Sequence, residues 1–203
     1  MPPEAPRPME EKGGIRIQSR EVLSENWFRL EKVTFDQRRA DGSEQRLQRE
    51  VYHNGPGAAV LPVDAERGTV LLVRQLRIPA LVNGDGLMLI EACAGMVEKG
   101  DDPARTVLQE AEQEMGCRLQ GLRKVLELYT SPGASAEKLH LFLARYTQDD
   151  RTGQGGGLAG EGEQIEVLEM PLGQAWAMVE SGEIIDAKTV ILLQHARLAG
   201  GGF

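Results

Sequence analysis

Apolar positions fall along the chain in two different periods. Short apolar runs recur at residues 58–63, 69–73, 87–90, 125–129, 139–144 and 165–170, lengths that suit buried strands. Upstream, residues 15–17, 27–35 and 47–52 also read as strands, but they are laced with Arg29, Glu31, Lys32, Arg46, Arg49 and Glu50. Asp41-Gly42 between the last two is a hairpin signal. A sheet this polar builds a weak core of its own, so it is expected to pack on the main domain or on a second copy of the chain. Helical spacing occurs after Asp102-Pro103 and over residues 171–181 and 188–198. Strands outnumber helices and simple β-α-β alternation is scarce, which predicts an α+β sandwich with a mixed sheet. Residues 1–14, with Pro2, Pro3, Pro6 and Pro8, read as a tail. The glycine-rich stretch 153–162 is too long for a tight turn and is expected to be mobile.

Length and charge narrow the function. The 203 residues suit one compact domain, or one with a small appendage. The formal net charge is -8, with Lys+Arg 23 against Asp+Glu 31 and no basic cluster, so nucleic acid is a poor partner. An acidic protein that handles phosphates needs positive charge from elsewhere, and a divalent metal would supply it. No apolar run reaches the roughly 18–20 residues that span a bilayer. Residues 1–12 contain no segment like a signal peptide. Cys93 and Cys117 are the only cysteines and sit in apolar settings, as expected of reduced, buried thiols in a cytoplasmic protein.

The helix after Asp102-Pro103 carries the chemistry. Asp102 suits its N-cap, Pro103 its first turn, and Gly116 the stop beyond its end. Ala104, Val107, Leu108, Ala111 and Met115 share one face at helical spacing, predicting that this face is buried. Glu110 and Glu114 then lie one turn apart at the edge of the stripe, with Gln109 and Gln113 in the adjacent row. Carboxylates four apart repel, and at the rim of a buried face they call for a cation between them. Oxygen ligands of this kind favour Mg²⁺ or Mn²⁺. The plainer alternative is a solvated acidic face made of Glu110, Glu112 and Glu114.

Upstream of this helix lie the apolar strand ending Ile90-Glu91-Ala92-Cys93-Ala94 and the loop Gly95-Met96-Val97-Glu98-Lys99-Gly100-Asp101. Together with the helix they resemble the Nudix box, which Gly95 opens and Gly116 closes in register. The resemblance extends over residues 15–193 and is closest to the nucleotide-sugar and ADP-ribose pyrophosphatases, leaning to those that act on GDP-mannose. It is carried also by Arg49-Glu50-Val51-Tyr52, Val82-Asn83-Gly84, Glu127-Leu128-Tyr129-Thr130-Ser131-Pro132-Gly133 and Gly182-Glu183-Ile184. Three positions depart from the box: Asp101 stands for Glu, Gln109 for Arg and Gln113 for Glu. The last two are four apart, so a helix-surface ion pair has become an amide pair.

The resemblance implies a Nudix-type α/β/α sandwich over residues 53–203, preceded by a small antiparallel sheet over 15–52 that is exchanged in a homodimer. It implies Mg²⁺, or Mn²⁺, held by the Ala94 carbonyl oxygen, Glu110, Glu114 and Glu163, with Glu161 placed to orient or deprotonate water. Glu161, Gly162 and Glu163 lie in an acidic loop that would close over the metals; on its own such a loop reads as a surface turn. The implied reaction is attack of water on a diphosphate, releasing two monophosphates from a nucleoside diphosphate sugar. Arg77 would bind phosphate, with a surface edge-strand arginine as the plain alternative. Trp27 would stack on the base, against the alternative of a half-buried packing residue. Gly95, Met96 and Gly162 would line the substrate. Gln48, Arg49 and Glu50 would reach the partner subunit's site, and Glu137 and Lys188 the sugar side. Lys188 opens a helix, where the dipole disfavours a cation, so a purely structural role is less natural there. His53, His140 and His195 are scattered and none is assigned to metal. A second class of function stays open: a non-catalytic nucleotide-sugar binder that lost its chemistry through Gln109 and Gln113.

Overall fold

The computed structural model describes residues 11–157, 160 and 164–200. The chain divides into two compact units, one of the residues up to Asn54 with Ser131–Glu137, the other of Gly55–Thr130 with Lys138 onward.

The first unit is a four-stranded antiparallel sheet: β1 (Glu11–Lys12), β2 (Ile15–Glu25), β3 (Arg29–Arg38) and β4 (Glu44–His53), in that order. Asp41-Gly42 turns β3 into β4, with Gly42 at φ 83° and the Asp41 carboxylate accepting from the Ser43 amide at 2.9 Å. β2 runs eight residues past the expected end at Ile17. That extension is polar and held by cross-strand pairs such as Glu21 with Lys32, which apolar alternation does not register. The buried positions of β3 are Glu31 and Asp36. Asp36 accepts from Arg46 at 2.8 and 3.0 Å and from Gln18 at 2.7 Å. Glu31 is paired with Arg29 and meets His53 at 2.8 Å. This sheet is organised by charge.

The second unit is an α/β/α sandwich. Its seven-stranded mixed sheet comprises β5 (Gly57–Asp64), β6 (Thr69–Leu76), β7 (Met88–Glu91), β8 (Cys93–Met96), β9 (Gln120–Tyr129), β10 (Lys138–Arg145) and β11 (Glu166–Pro171). Only β5 and β10 pair in parallel. β5 is buried throughout, and its side chains alternate between two cores. Ala59, Leu61 and Val63 face α3 (Leu172–Glu180) and α4 (Ala187–Leu198). Ala58 and Val60 face α2 (Pro103–Met115).

β5 and β6 pair only at Val63/Val70 and Asp64/Thr69, then separate. β7 fills the gap on β6 and β8 on β5, so the single strand expected to end at Ala94 breaks at Ala92. A short helix, α1 (Ile78–Val82), connects β6 towards β7 and has no periodicity long enough to read from sequence. No helix among the described residues is long and apolar enough to cross a membrane. Cys93 and Cys117 are buried free thiols.

Candidate active site

The helix α2 begins and ends as its sequence predicts. The Asp102 carboxylate accepts from the Ala104 amide at 3.0 Å, and Gly116 adopts the left-handed conformation at φ 61°. The Gly116 and Cys117 amides return to the carbonyls of Glu112 and Ala111, both at 3.1 Å, closing a Schellman-type stop.

The buried face is rotated from the expected one. Counted from Ala111, Leu108 and Glu114 lie about 60° to either side. Hydrophobicity selects Leu108, yet Leu108 is 36% exposed and Glu114 is 2% exposed. The helix turns Glu114 towards β8, where it neighbours Cys93. Burial first, then the Glu114 carboxylate, push the Cys93 thiol well above its ordinary value. Glu110 is partly exposed and lies against Gly95: a Cβ built at residue 95 would fall 1.9 Å from Glu110 Oε1. The solvated acidic face therefore describes Glu112, which is exposed with Arg118 at 3.7 Å, and fails for Glu114.

The glycine-rich stretch is not loose where it is described. The amides of Thr152 and Gly153 donate to the Gly116 carbonyl at 2.9 and 3.0 Å, and Gly156 donates to Glu114 at 2.8 Å. A Cβ at Gly155 would fall 2.2 Å from the Glu114 carbonyl oxygen, and one at Gly116 would fall 2.4 Å from Gly153. These glycines permit a backbone-to-backbone approach that caps the helix end bearing Glu114. Glu161, Gly162 and Glu163 lie outside the described residues. Among those described, no group of three or more His, Cys, Asp or Glu side chains is placed to hold a metal.

A second cluster lies at the ends of β6 and β7. Glu91 is 1% exposed. Its Oε1 accepts from Arg77 Nε at 2.6 Å and its Oε2 from Arg77 Nη2 at 2.9 Å. Oε2 also pairs with Lys188, whose ammonium reaches Asp186 at 2.9 Å. Asp186 caps α4 by accepting from the Thr189 amide at 3.0 Å, and the Ala92 amide donates to the Thr189 hydroxyl at 2.7 Å. Burial raises the Glu91 pKa, but the Arg77 hydrogen bonds and the Lys188 charge outweigh it and hold the carboxyl below its ordinary value. Arg77 is thus no plain edge-strand arginine. Lys188 tolerates the helix start because two carboxylates meet it there, an attraction larger than the dipole's repulsion. Glu91 lay in the sequence with no role assigned. The available signal was a lone carboxylate in an apolar strand, which burial obliges to find cations.

Five further candidates lie in the first unit. Trp27 is 85% exposed, touching Phe28 edge-on at 6.4 Å, so it is not a packing residue. Gln48 donates to Thr34 at 3.3 Å, Arg49 donates to the Gln48 carbonyl at 2.7 Å, and Glu50 is exposed. Glu137 accepts from Asn54 at 3.0 Å. In the second unit, Ala94 and Met96 flank Gly95 on β8, Ala94 partly buried and Met96 exposed.

Residues 14–52 match the N-terminal domain of the GDP-mannose pyrophosphatase NudK, and residues 53–193 match the NUDIX domain. A GDP-mannose pyrophosphatase of Cronobacter sakazakii is 50% identical over 88% of this chain and 93% of its own length. One of Klebsiella pneumoniae is 47% identical, over 92% and 93%. Among solved structures, an ADP compounds hydrolase superposes with a TM-score of 0.72 at 17% identity, over 95% of this chain and 98% of that one. At that identity it shows the shared fold.

Proposed function

The chain belongs to the NUDIX family of hydrolases, and on that premise we propose that it hydrolyses the diphosphate of a nucleoside diphosphate sugar, with GDP-mannose as the first candidate. The observation that carries this is the burial of Glu114 on the core face of α2, with the Glu110 carboxylate lying in the space that a Cβ at residue 95 would fill. The names of relatives at 42–50% identity support the choice of substrate.

The donor set fits a hard divalent cation. Glu110, Glu114 and the Ala94 carbonyl oxygen would hold Mg²⁺, with Mn²⁺ as a substitute and Glu163 completing the set. When bound, the metal supplies positive charge to the diphosphate oxygens and lowers the pKa of a water. Glu161 or Glu163 would orient the attacking water and take its proton. Arg77 would grip phosphate and Lys188 the sugar side, while Trp27 would stack on the base. Gln48, Arg49, Glu50 and Glu137 would contribute across a homodimer with exchanged N-terminal strands, in the cytoplasm. The exposed Val22 and Leu23 support such a contact; a light-scattering mass of one chain at micromolar concentration contradicts it.

The decisive measurement is release of monophosphates from a panel of nucleoside diphosphate sugars with Mg²⁺. Release of GMP and mannose 1-phosphate, faster than hydrolysis of ADP-ribose, is expected. Thermal stabilisation by GDP-mannose without turnover would instead make the chain a binder whose chemistry was lost with Gln109 and Gln113.

A further inference from the structure

Glu91 uses both carboxylate oxygens on cations from two distant segments, Arg77 at the end of β6 and Lys188 in the first turn of α4. We propose that Glu91 is a positioning residue that sets Arg77 and Lys188 side by side as a paired clamp for the substrate, Arg77 on its phosphate and Lys188 where the phosphate meets the sugar. It rests on the pyrophosphatase reading above and deepens it.

The donor inventory fits this role. Glu91 engages Nε–H and one Nη2–H of Arg77, leaving the Nη1 edge of the guanidinium to face elsewhere. The Arg77 side chain is 39% exposed, so the residue is open to an incoming anion although its partner Glu91 is buried. Two hydrogens of the Lys188 ammonium go to Glu91 and Asp186, and among the described residues the third is left for an oxygen acceptor. Asp186 is itself fixed by the Thr189 amide and hydroxyl. Thr189 in turn binds the Ala92 amide, next to Glu91 in the chain. The cluster is closed: strand end, helix start and both cations are held by one buried carboxylate. The two cations and two carboxylates balance in charge, so the cluster persists without substrate and is already formed when a diphosphate arrives.

The test is Glu91→Gln assayed on GDP-mannose with Mg²⁺, reading KM and kcat separately, with Mn²⁺ affinity measured on the substrate-free protein. The variant keeps the size of the side chain but turns one acceptor into a donor facing Arg77 and Lys188. KM is expected to rise about tenfold or more, kcat to change less, and Mn²⁺ affinity to stay within about twofold. Arg77→Lys should raise KM similarly, and the double variant should add little to either change. A purely structural Glu91 would lower the melting temperature while leaving KM intact and the double variant additive; either result on a folded protein overturns the proposal. Should Glu91→Gln not fold, Glu91→Asp keeps the charge but withdraws it, and an unchanged KM there is equally fatal. A wild type that hydrolyses no nucleoside diphosphate sugar removes the parent reading and the clamp together. An active wild type with unaffected variants removes the clamp alone.

Discussion

The second unit's site and the first unit's sheet hold their candidate residues in opposite ways. At α2 the candidates are inseparable from the fold. Glu114 is buried against β8, Glu110 lies on Gly95, and Gly116 and Gly155 admit backbone that any side chain would displace. In the N-terminal sheet the fold is made by Glu31, Asp36 and their arginines, while the side chains of Trp27, between β2 and β3, and of Arg49 and Glu50 on β4 are exposed. The difference teaches where stability and function can be separated. Substitutions in the sheet's candidates should change binding at constant stability, whereas those around α2 should separate the two only where the displaced atom is the tip of a flexible side chain.

The largest effect is expected at the carboxylates. Glu114→Gln and Glu110→Gln should each lower kcat/KM by about 1,000-fold, the scale of losing metal charge stabilisation. The far-ultraviolet dichroism should stay native. Turnover near wild type in either variant would end the metal assignment. Gly95→Ala comes next. The nearest atoms to its Cβ all belong to the flexible end of Glu110, so the carboxylate swings away. Divalent-metal affinity should fall by about 10–100-fold with a melting temperature within a few degrees. Gly116→Ala is the counterpart in which no side-chain tip can yield. A φ of 61° and contact with Gly153 backbone put its cost at about 2 kcal/mol or more in denaturant unfolding.

Much of this contrast was legible in the residues. Asp102, Pro103 and Gly116 mark both ends of α2, and the residues from Gly95 to Gly116 carry the box register. The rotation that buries Glu114 and exposes Leu108 was not legible. Both lie at the same angular distance from Ala111, and polarity argues for the wrong one. The choice belongs to β8, where the Cys93 thiol meets the Glu114 carboxylate and gives it a polar partner that a leucine could not use. The length of β2 was hidden for a related reason, since its second half is held by ion pairs rather than by alternation. Glycine-rich composition suggested mobility over 153–162, and the described part, 153–157, departs from it because composition does not reveal a helix end waiting to be capped. Glu91 was visible as a lone acid in an apolar strand, but its partners Arg77 and Lys188 are distant in sequence and meet it only in the fold.

In the N-terminal sheet, Trp27→Ala should raise KM for GDP-mannose by about tenfold, within the range of base stacking on an aromatic face. Because Trp27 is exposed, the melting temperature should not move. A stability loss without a KM change would return Trp27 to a packing role.

The smallest expected effect is in the acid limb of stability, and it compares one buried carboxylate from each unit. The Glu91 carboxyl is held below its ordinary 4.5, burial being outweighed by Arg77 and Lys188. Asp36 is lowered as well, first by its Arg46 hydrogen bond. For a carboxyl lowered in the folded state, the unfolded chain binds protons first as pH falls. The stabilisation is therefore complete above the ordinary value and drains away as pH drops through the folded one. Glu91→Gln removes that titration, so denaturant-measured stability should fall less between about pH 6 and about pH 3 than in wild type. Asp36→Asn should flatten the same limb less, because its arginine partners are half open to solvent, where ion pairs are screened. If Asp36→Asn flattens it as much or more, the two sheets carry their charges at similar depth and the separation between them fails.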